Sequence, residues 1–359
     1  MRIAILSNTF PPDGKGGAER IAFLQAEGLK RDGHDVRVWS LNTSALGQED
    51  VVRFPSKDLM RMDPFTRFWF HFVADARPRA DIVKNILAWK PDKLLTHNLT
   101  GCGIGTPRAI QQHGIPWAHT LHDIQLTDLS GRETEEWSKT VIVKLWRWFW
   151  SARRRPAFGT PDVLISPTKW LLDWHHAHGF RGKDEQVIRN PIETTGAHRD
   201  RTLHTPATVI YVGRLSRDKG FDRFLHVVKQ LPASLVNQIT VVGTGPMIAD
   251  AERLADPRVD LIGTVPAETI RQIMEGADLL IAPSRLLENQ QTILLEAMSV
   301  GTPIVATDTG GTRETLEGTG CPAVPADRLA AEAIALLSDA DEWRRVSKKE
   351  QQHITQSRT

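Results

Sequence analysis

Glu288 and Glu296 stand eight residues apart, with Asn289, Gln290, Gln291, Thr292 and Ile293 following the first of them. Upstream, Leu279–Ala282 reads as a buried strand stopped at Pro283-Ser284. A strand, a short loop and a helix bring backbone N–H groups and the positive dipole end to one point, which favours phosphate. If every intervening residue were helical, the two carboxylates would lie roughly 12 Å apart along the axis. One carboxylate could then accept from sugar hydroxyls and the other from a ribose, with a diphosphate between them. Arg214 and Lys219, after the apolar run Thr208–Val212, add two cations able to neutralise a diphosphate leaving group.

Other polar residues end apolar runs in the first half. His122 and Asp123 follow Trp117–Leu121, and Asn98 follows Lys93–Thr96, positions suited to sugar hydroxyls and an acceptor. The loop from Asn8 to Glu19 carries Gly14, Gly16 and Gly17 between a strand and a helix. Glycines there admit close backbone approach. The spacing is not that of the dinucleotide fingerprint, so a nicotinamide cofactor is disfavoured. No metal is expected: Asp339-Ala-Asp341 reads as helix-start acidity. His175, His176 and His178 lie on a polar helical stretch without a nearby cysteine.

These groups need two scaffolds. Ile3–Leu6, Val36–Trp39, Lys93–Thr96, Trp117–Leu121 and Val163–Ser166 read as buried strands alternating with helical patterns such as Ala18–Arg31. The pattern restarts at Thr208–Val212 and continues through Ile239–Val242, Val259–Ile262, Leu279–Ala282 and Ile304–Thr307. Such alternation predicts parallel sheets with helices on both faces and ligands at the strands' carboxyl ends. The expected organisation is residues 1–192 as an N-terminal domain, 193–206 as a linker, 207–340 as a C-terminal domain and 341–359 as a polar tail.

Composition narrows the function. A length of 359 residues suits two domains, and a net charge of +2 gives no nucleic-acid footprint. Cys102 and Cys321 form neither a metal spacing nor a disulfide framework, which suits a reducing cytoplasm. No signal-peptide pattern and no spanning apolar run are read. One stretch stands out: Val141 to Arg155 interleaves Trp146, Trp148 and Trp150 with arginines and closes on Arg153-Arg154-Arg155. It suits either an interfacial helix on an anionic membrane surface or an aromatic face packed within the first domain. Phe65 to Phe72 is similar in composition.

The glutamate pair resembles the Glu-x7-Glu signature of retaining glycosyltransferases of family 4, the glycosyl transferases group 1. The resemblance recurs in Met1–Leu6, Gly16-Gly17-Ala18-Glu19, Thr120-Leu121-His122-Asp123, Val187–Ile192, Tyr211–Gly220 and Val242–Pro246, which includes Gly245. It implies an α/β GT-B fold, two Rossmann-like doubly wound domains facing each other across a cleft. It implies transfer of a hexose from a UDP- or GDP-linked donor to a glycan or lipid-linked acceptor in envelope or polysaccharide synthesis. No metal or other cofactor is implied. His122, Glu288, Arg214 and Lys219 take catalytic positions. Gly16, Gly17, Gly245, Gln291, Thr292, Ile293 and Glu296 line the donor, and Asn98 and Asp123 the acceptor side. The enzyme would be cytoplasmic, peripheral at the inner membrane face. The sequence departs from the family where Asn289-Gln290-Gln291 replaces glycine-rich residues. A same-fold sugar-nucleotide epimerase and a non-catalytic nucleotide-binding subunit are the alternative readings.

Overall fold

The structure is a computed structural model. It describes residues 1–12, 16–41, 50–55, 63–70, 75–128, 133–192, 200–254 and 256–356. The chain forms two compact units. Unit 1 comprises Met1–Glu133 and Ser138–Pro191, and unit 2 comprises Thr134–Trp137 and Ile192–Thr359.

Unit 1 is built on strands β1 (Arg2–Ser7), β2 (Asp35–Ser40), β3 (Val51–Arg53), β4 (Lys93–Thr96), β5 (Trp117–Thr120), β6 (Val163–Ser166) and β7 (Asp184–Val187). Their order in the sheet is β3-β2-β1-β4-β5-β6-β7, with every ladder parallel. Unit 2 uses β8 (Ala207–Val212), β9 (Val236–Val242), β10 (Val259–Gly263), β11 (Leu279–Ala282), β12 (Ile304–Thr307) and β13 (Ala323–Val324). These are ordered β10-β9-β8-β11-β12-β13, again all parallel. All residues of β11 and β12 are buried, as expected when helices cover both faces of a parallel sheet. In each sheet the order reverses at one place, between β1 and β4 and between β8 and β11. Ligands of doubly wound sheets bind outside the strand ends at such a reversal.

The apolar runs read from sequence are strands. Three edge strands carry no such run: β3 has three residues, β13 has two, and β7 is the polar Asp-Glu-Gln-Val. The expected polar tail is corrected. Ala340–Gln356 is a helix of unit 2 that buries Trp343, Val346 and Ile354. Trp343 Nε1 donates to the Asp278 carbonyl at 2.7 Å, and Ser347 Oγ to the Gly301 carbonyl at 2.6 Å. Of the expected linker, 193–199 lie outside the described residues. Arg201 belongs to unit 2, where its guanidinium donates to the Gly301 carbonyl and to Thr302 Oγ1, both at 2.7 Å.

Candidate active site

The glutamate motif of unit 2 sits at the β8/β11 reversal. Its helix begins at Thr292, so Glu288 lies in the loop after β11 and only Glu296 is helical. The fully helical spacing considered from sequence therefore does not apply. Ser284 Oγ donates to Glu288 Oε1 at 2.8 Å, and Lys219 Nζ meets the same oxygen at 2.7 Å. Both ends of this bridge are shaped by glycine. Gly220 has φ +71°, and a Cβ there would lie 1.8 Å from the Pro283 carbonyl oxygen. Gly310 has φ +58°, and a Cβ there would lie 2.0 Å from the Glu288 carbonyl oxygen. Only a residue without a side chain lets these loops approach.

Arg214 is held by its own loop, pairing with Asp218 and donating to Ser216 Oγ at 3.1 Å. Gln291 caps the motif helix by position only, because no side chain of the cap accepts from the first turn. Its Nε2 reaches Thr312 Oγ1 at 3.4 Å. Thr292 and Ile293, partly exposed, open that helix. Asn289 and Gln290 are buried, so the bulky replacements pack inside unit 2. Gly245 packs a loop rather than presenting open backbone: a Cβ there would lie 2.4 Å from the Leu215 carbonyl oxygen.

In unit 1, Asn98, His122 and Asp123 line one small cavity after β4 and β5, together with His97, Gln125 and Arg154. Its volume of about 30 Å³ is water-sized. Asn98 Oδ1 accepts from Thr100 Oγ1 at 3.2 Å, and Asp123 Oδ1 from the Gln125 N–H at 2.7 Å. Burial pushes the Asp123 carboxyl up to about 7, helped by Asp128 and Glu19 and opposed by Arg154. Burial pushes His122 down to about 4. Gly16 is the cap residue of the helix Gly17–Arg31, with the Glu19 carboxylate lying over it.

The family model "Glycosyltransferase Family 4" matches residues 15–195, and "Glycosyl transferases group 1" matches residues 206–339. The chain belongs to glycosyltransferase family 4. This transferase is 27% identical to the glycogen synthase of Mycobacterium tuberculosis over 391 residues, covering 99% of the chain and 90% of the relative. Its fold is GT-B. The sucrose-phosphate synthase of Thermosynechococcus elongatus superposes with a TM-score of 0.74 at 18% identity, covering 99% and 94% of the two chains. Anabaena HepE, solved in complex with UDP-glucose, gives 0.70 at 20% identity, covering 99% and 95%.

The aromatic stretch of the transferase is one helix, Val141–Phe158, with two different faces. Arg147, Trp150 and Arg154 are buried. Arg147 pairs with Glu133 and stacks 4.5 Å from the Trp174 ring. Arg154 lies 3.6 Å from Asp75 and 4.5 Å from the Trp150 ring. Val141, Ile142, Leu145, Trp148 and Phe149 point outward, Trp148 at 68% exposure. Arg153 and Arg155 are exposed. The basic run is thus divided, and Arg154 leaves the surface expected for it. Of the Phe65–Phe72 segment, 71 and 72 lie outside the described residues. No helix among the described residues is long and apolar enough to cross a membrane.

The two clusters set aside as metal sites have local partners in the transferase. Asp339 Oδ1 accepts from the N–H groups of Asp341 and Glu342 at a helix start. His175 Nδ1 meets the Leu171 carbonyl at 2.8 Å, His176 meets Glu185 at 2.8 Å, and His178 meets the Trp174 carbonyl at 2.6 Å. Sequence reasoning passed over Ser284, Gly310 and His97. Ser284 could have been flagged by its place at a strand end in the motif loop. Gly310 and His97 had no signal of their own, because a glycine or histidine beyond a strand is ordinary.

Proposed function

We propose that the enzyme is a retaining hexosyltransferase using a UDP- or GDP-linked sugar. The observation that carries the reading is the Lys219–Glu288 contact at the β8/β11 reversal. It sets a cation suited to a diphosphate beside a carboxylate suited to sugar hydroxyls. In this reading Arg214 and Lys219 hold the leaving diphosphate with the N–H groups of the motif helix. Glu288 holds donor-sugar hydroxyls and Glu296 the ribose. His122, Asp123 and Asn98 face sugar and acceptor. Similarity to a protein solved with UDP-glucose supports a nucleotide-sugar donor. No metal takes part, because the two cations supply the charge that a divalent ion would.

The acceptor is a glycan or lipid-linked glycan, and the enzyme works peripherally on an anionic membrane surface. The outward apolar residues of the helix Val141–Phe158, flanked by Lys144, Arg153 and Arg155, support this. A screen of nucleotide sugars, reading release of nucleoside diphosphate and the anomeric configuration of the product, tests the proposal. Inverted product or no release with any hexose donor would overturn it.

A further inference from the structure

Three side chains of unit 1 form one hydrogen-bonded line: Gln25 on the helix Gly17–Arg31, His97 directly after β4, and His122 after β5. Gln25 Oε1 lies 2.9 Å from His97 Nε2, and His97 Nδ1 lies 2.8 Å from His122 Nε2. The ring centroids are 5.1 Å apart and the planes inclined by 28°, so the two imidazoles meet edge to edge through these nitrogens. His97 is fully buried, and its backbone N–H donates to the Leu6 carbonyl at 3.0 Å, fixing it to the sheet.

Tautomers follow from the acceptor at one end. An amide oxygen can only accept, so the His97 proton sits on Nε2. A neutral imidazole carries one ring proton, so His97 Nδ1 is a lone pair. The contact between the rings then requires a proton on His122 Nε2. Both rings are neutral near pH 7, because burial lowers each of them. His122 Nδ1 is therefore an acceptor. We propose that His97 is a positioning residue that locks His122 in its Nε2–H tautomer, with Nδ1 held as the acceptor. A ring held the other way would donate from Nδ1. The assignment rests on the reading of His122 as a substrate-facing residue.

The test is a two-bond 15N–1H correlation spectrum of the histidine-labelled full chain, with His122 identified by its loss in His122→Asn. The expected wild-type pattern is a protonated Nε2 and an unprotonated Nδ1. His97→Asn places an amide oxygen near the former Nδ1 and should keep both the pattern and turnover. His97→Leu removes the acceptor, and Gln25→Leu, at a partly exposed helix position, releases the far end without emptying the core. Each should mix the His122 tautomers and lower kcat roughly tenfold, with a smaller change in KM for the donor. A wild-type Nδ1–H pattern, or an unchanged His122 pattern in both leucine variants, overturns the lock. The expected pattern with full turnover in His122→Asn would overturn the role of the lock in turnover while leaving the transferase reading intact.

Discussion

Lys219 Nζ and Glu288 Oε1 lie 2.7 Å apart, joining the loop after β8 to the loop after β11. Neither loop alone defines the site. A charge arriving on a leaving diphosphate would compete with Glu288 for the ammonium, and a sugar hydroxyl would compete with Lys219 for the carboxylate. In the proposed reading the pair would exchange one partner for the two halves of one donor.

The leaving-group role gives the first expectation. Arg214→Ala and Lys219→Ala should each lower turnover with an intact donor by about tenfold or more, since a charge-assisted contact is worth ~1.5–3 kcal/mol. Binding of the free nucleoside should change far less, because the charge develops on the phosphates. Wild-type turnover in both variants would remove these cations from the site.

Metal removal gives the second. Transfer should persist after dialysis against a strong chelator, with Arg214 and Lys219 supplying the positive charge. Activity lost in chelator and restored by magnesium or manganese would show that a divalent ion is required.

A third expectation concerns pH and stability. Asp123 is pushed up to about 7 in the folded chain, whereas its unfolded value is an ordinary carboxylate one near 4. Between about pH 4 and 7 the folded state therefore keeps a proton that the unfolded state has lost, so this group's contribution falls as pH rises. His122, depressed to about 4, acts oppositely: its neutral ring lets stability rise as pH climbs from about 4 to about 6.5. Asp123→Asn removes only the falling component. Its stability relative to wild type should grow between about pH 5 and pH 8, by on the order of 1 kcal/mol or more. Denaturant titrations across that range check this; a constant difference would mean that the carboxyl is not held protonated.

A fourth expectation separates the arginines of the aromatic helix. Binding to anionic vesicles should weaken with salt, and again in Arg153→Ser/Arg155→Ser, since each surface cation is worth about 1 kcal/mol. Trp148→Ser should weaken it as well. Arg154→Ser should instead lower thermal stability, because it strips the buried Asp75 of its cation. Sedimentation with vesicles and melting curves read the two effects separately. Failure of wild-type protein to bind anionic vesicles at low salt would remove the membrane proposal.

Much of the fold was legible because buried parallel strands such as Leu279–Ala282 are short continuous apolar runs, and their alternation with helices implies the layering. Strand order was not, since β8 pairs with β11 across two intervening strands. The run Arg153-Arg154-Arg155 looks uniform in sequence, yet about 100° per residue turns Arg154 to the buried side. The helix Ala340–Gln356 looked like a solvated tail because its buried face includes Ser347, Glu350 and Gln351 beside Trp343 and Val346. Within the site, Glu288, Arg214 and Lys219 were recognisable by type and motif. His97 was not, because its significance lies in a ring 25 positions away.

The short excursion of Thr134–Trp137 into unit 2 limits how far the halves are modular. Thr134 bridges Leu286, and Glu136 lies 3.5 Å from both Arg223 and Arg285. Arg285 directly follows Ser284, the residue that holds Glu288. A chimera joined at 191/192 would therefore inherit two arginines from one parent and their carboxylate from the other. Recombination that exchanges donor specificity among relatives should succeed more often when this four-residue passenger travels with the C-terminal half.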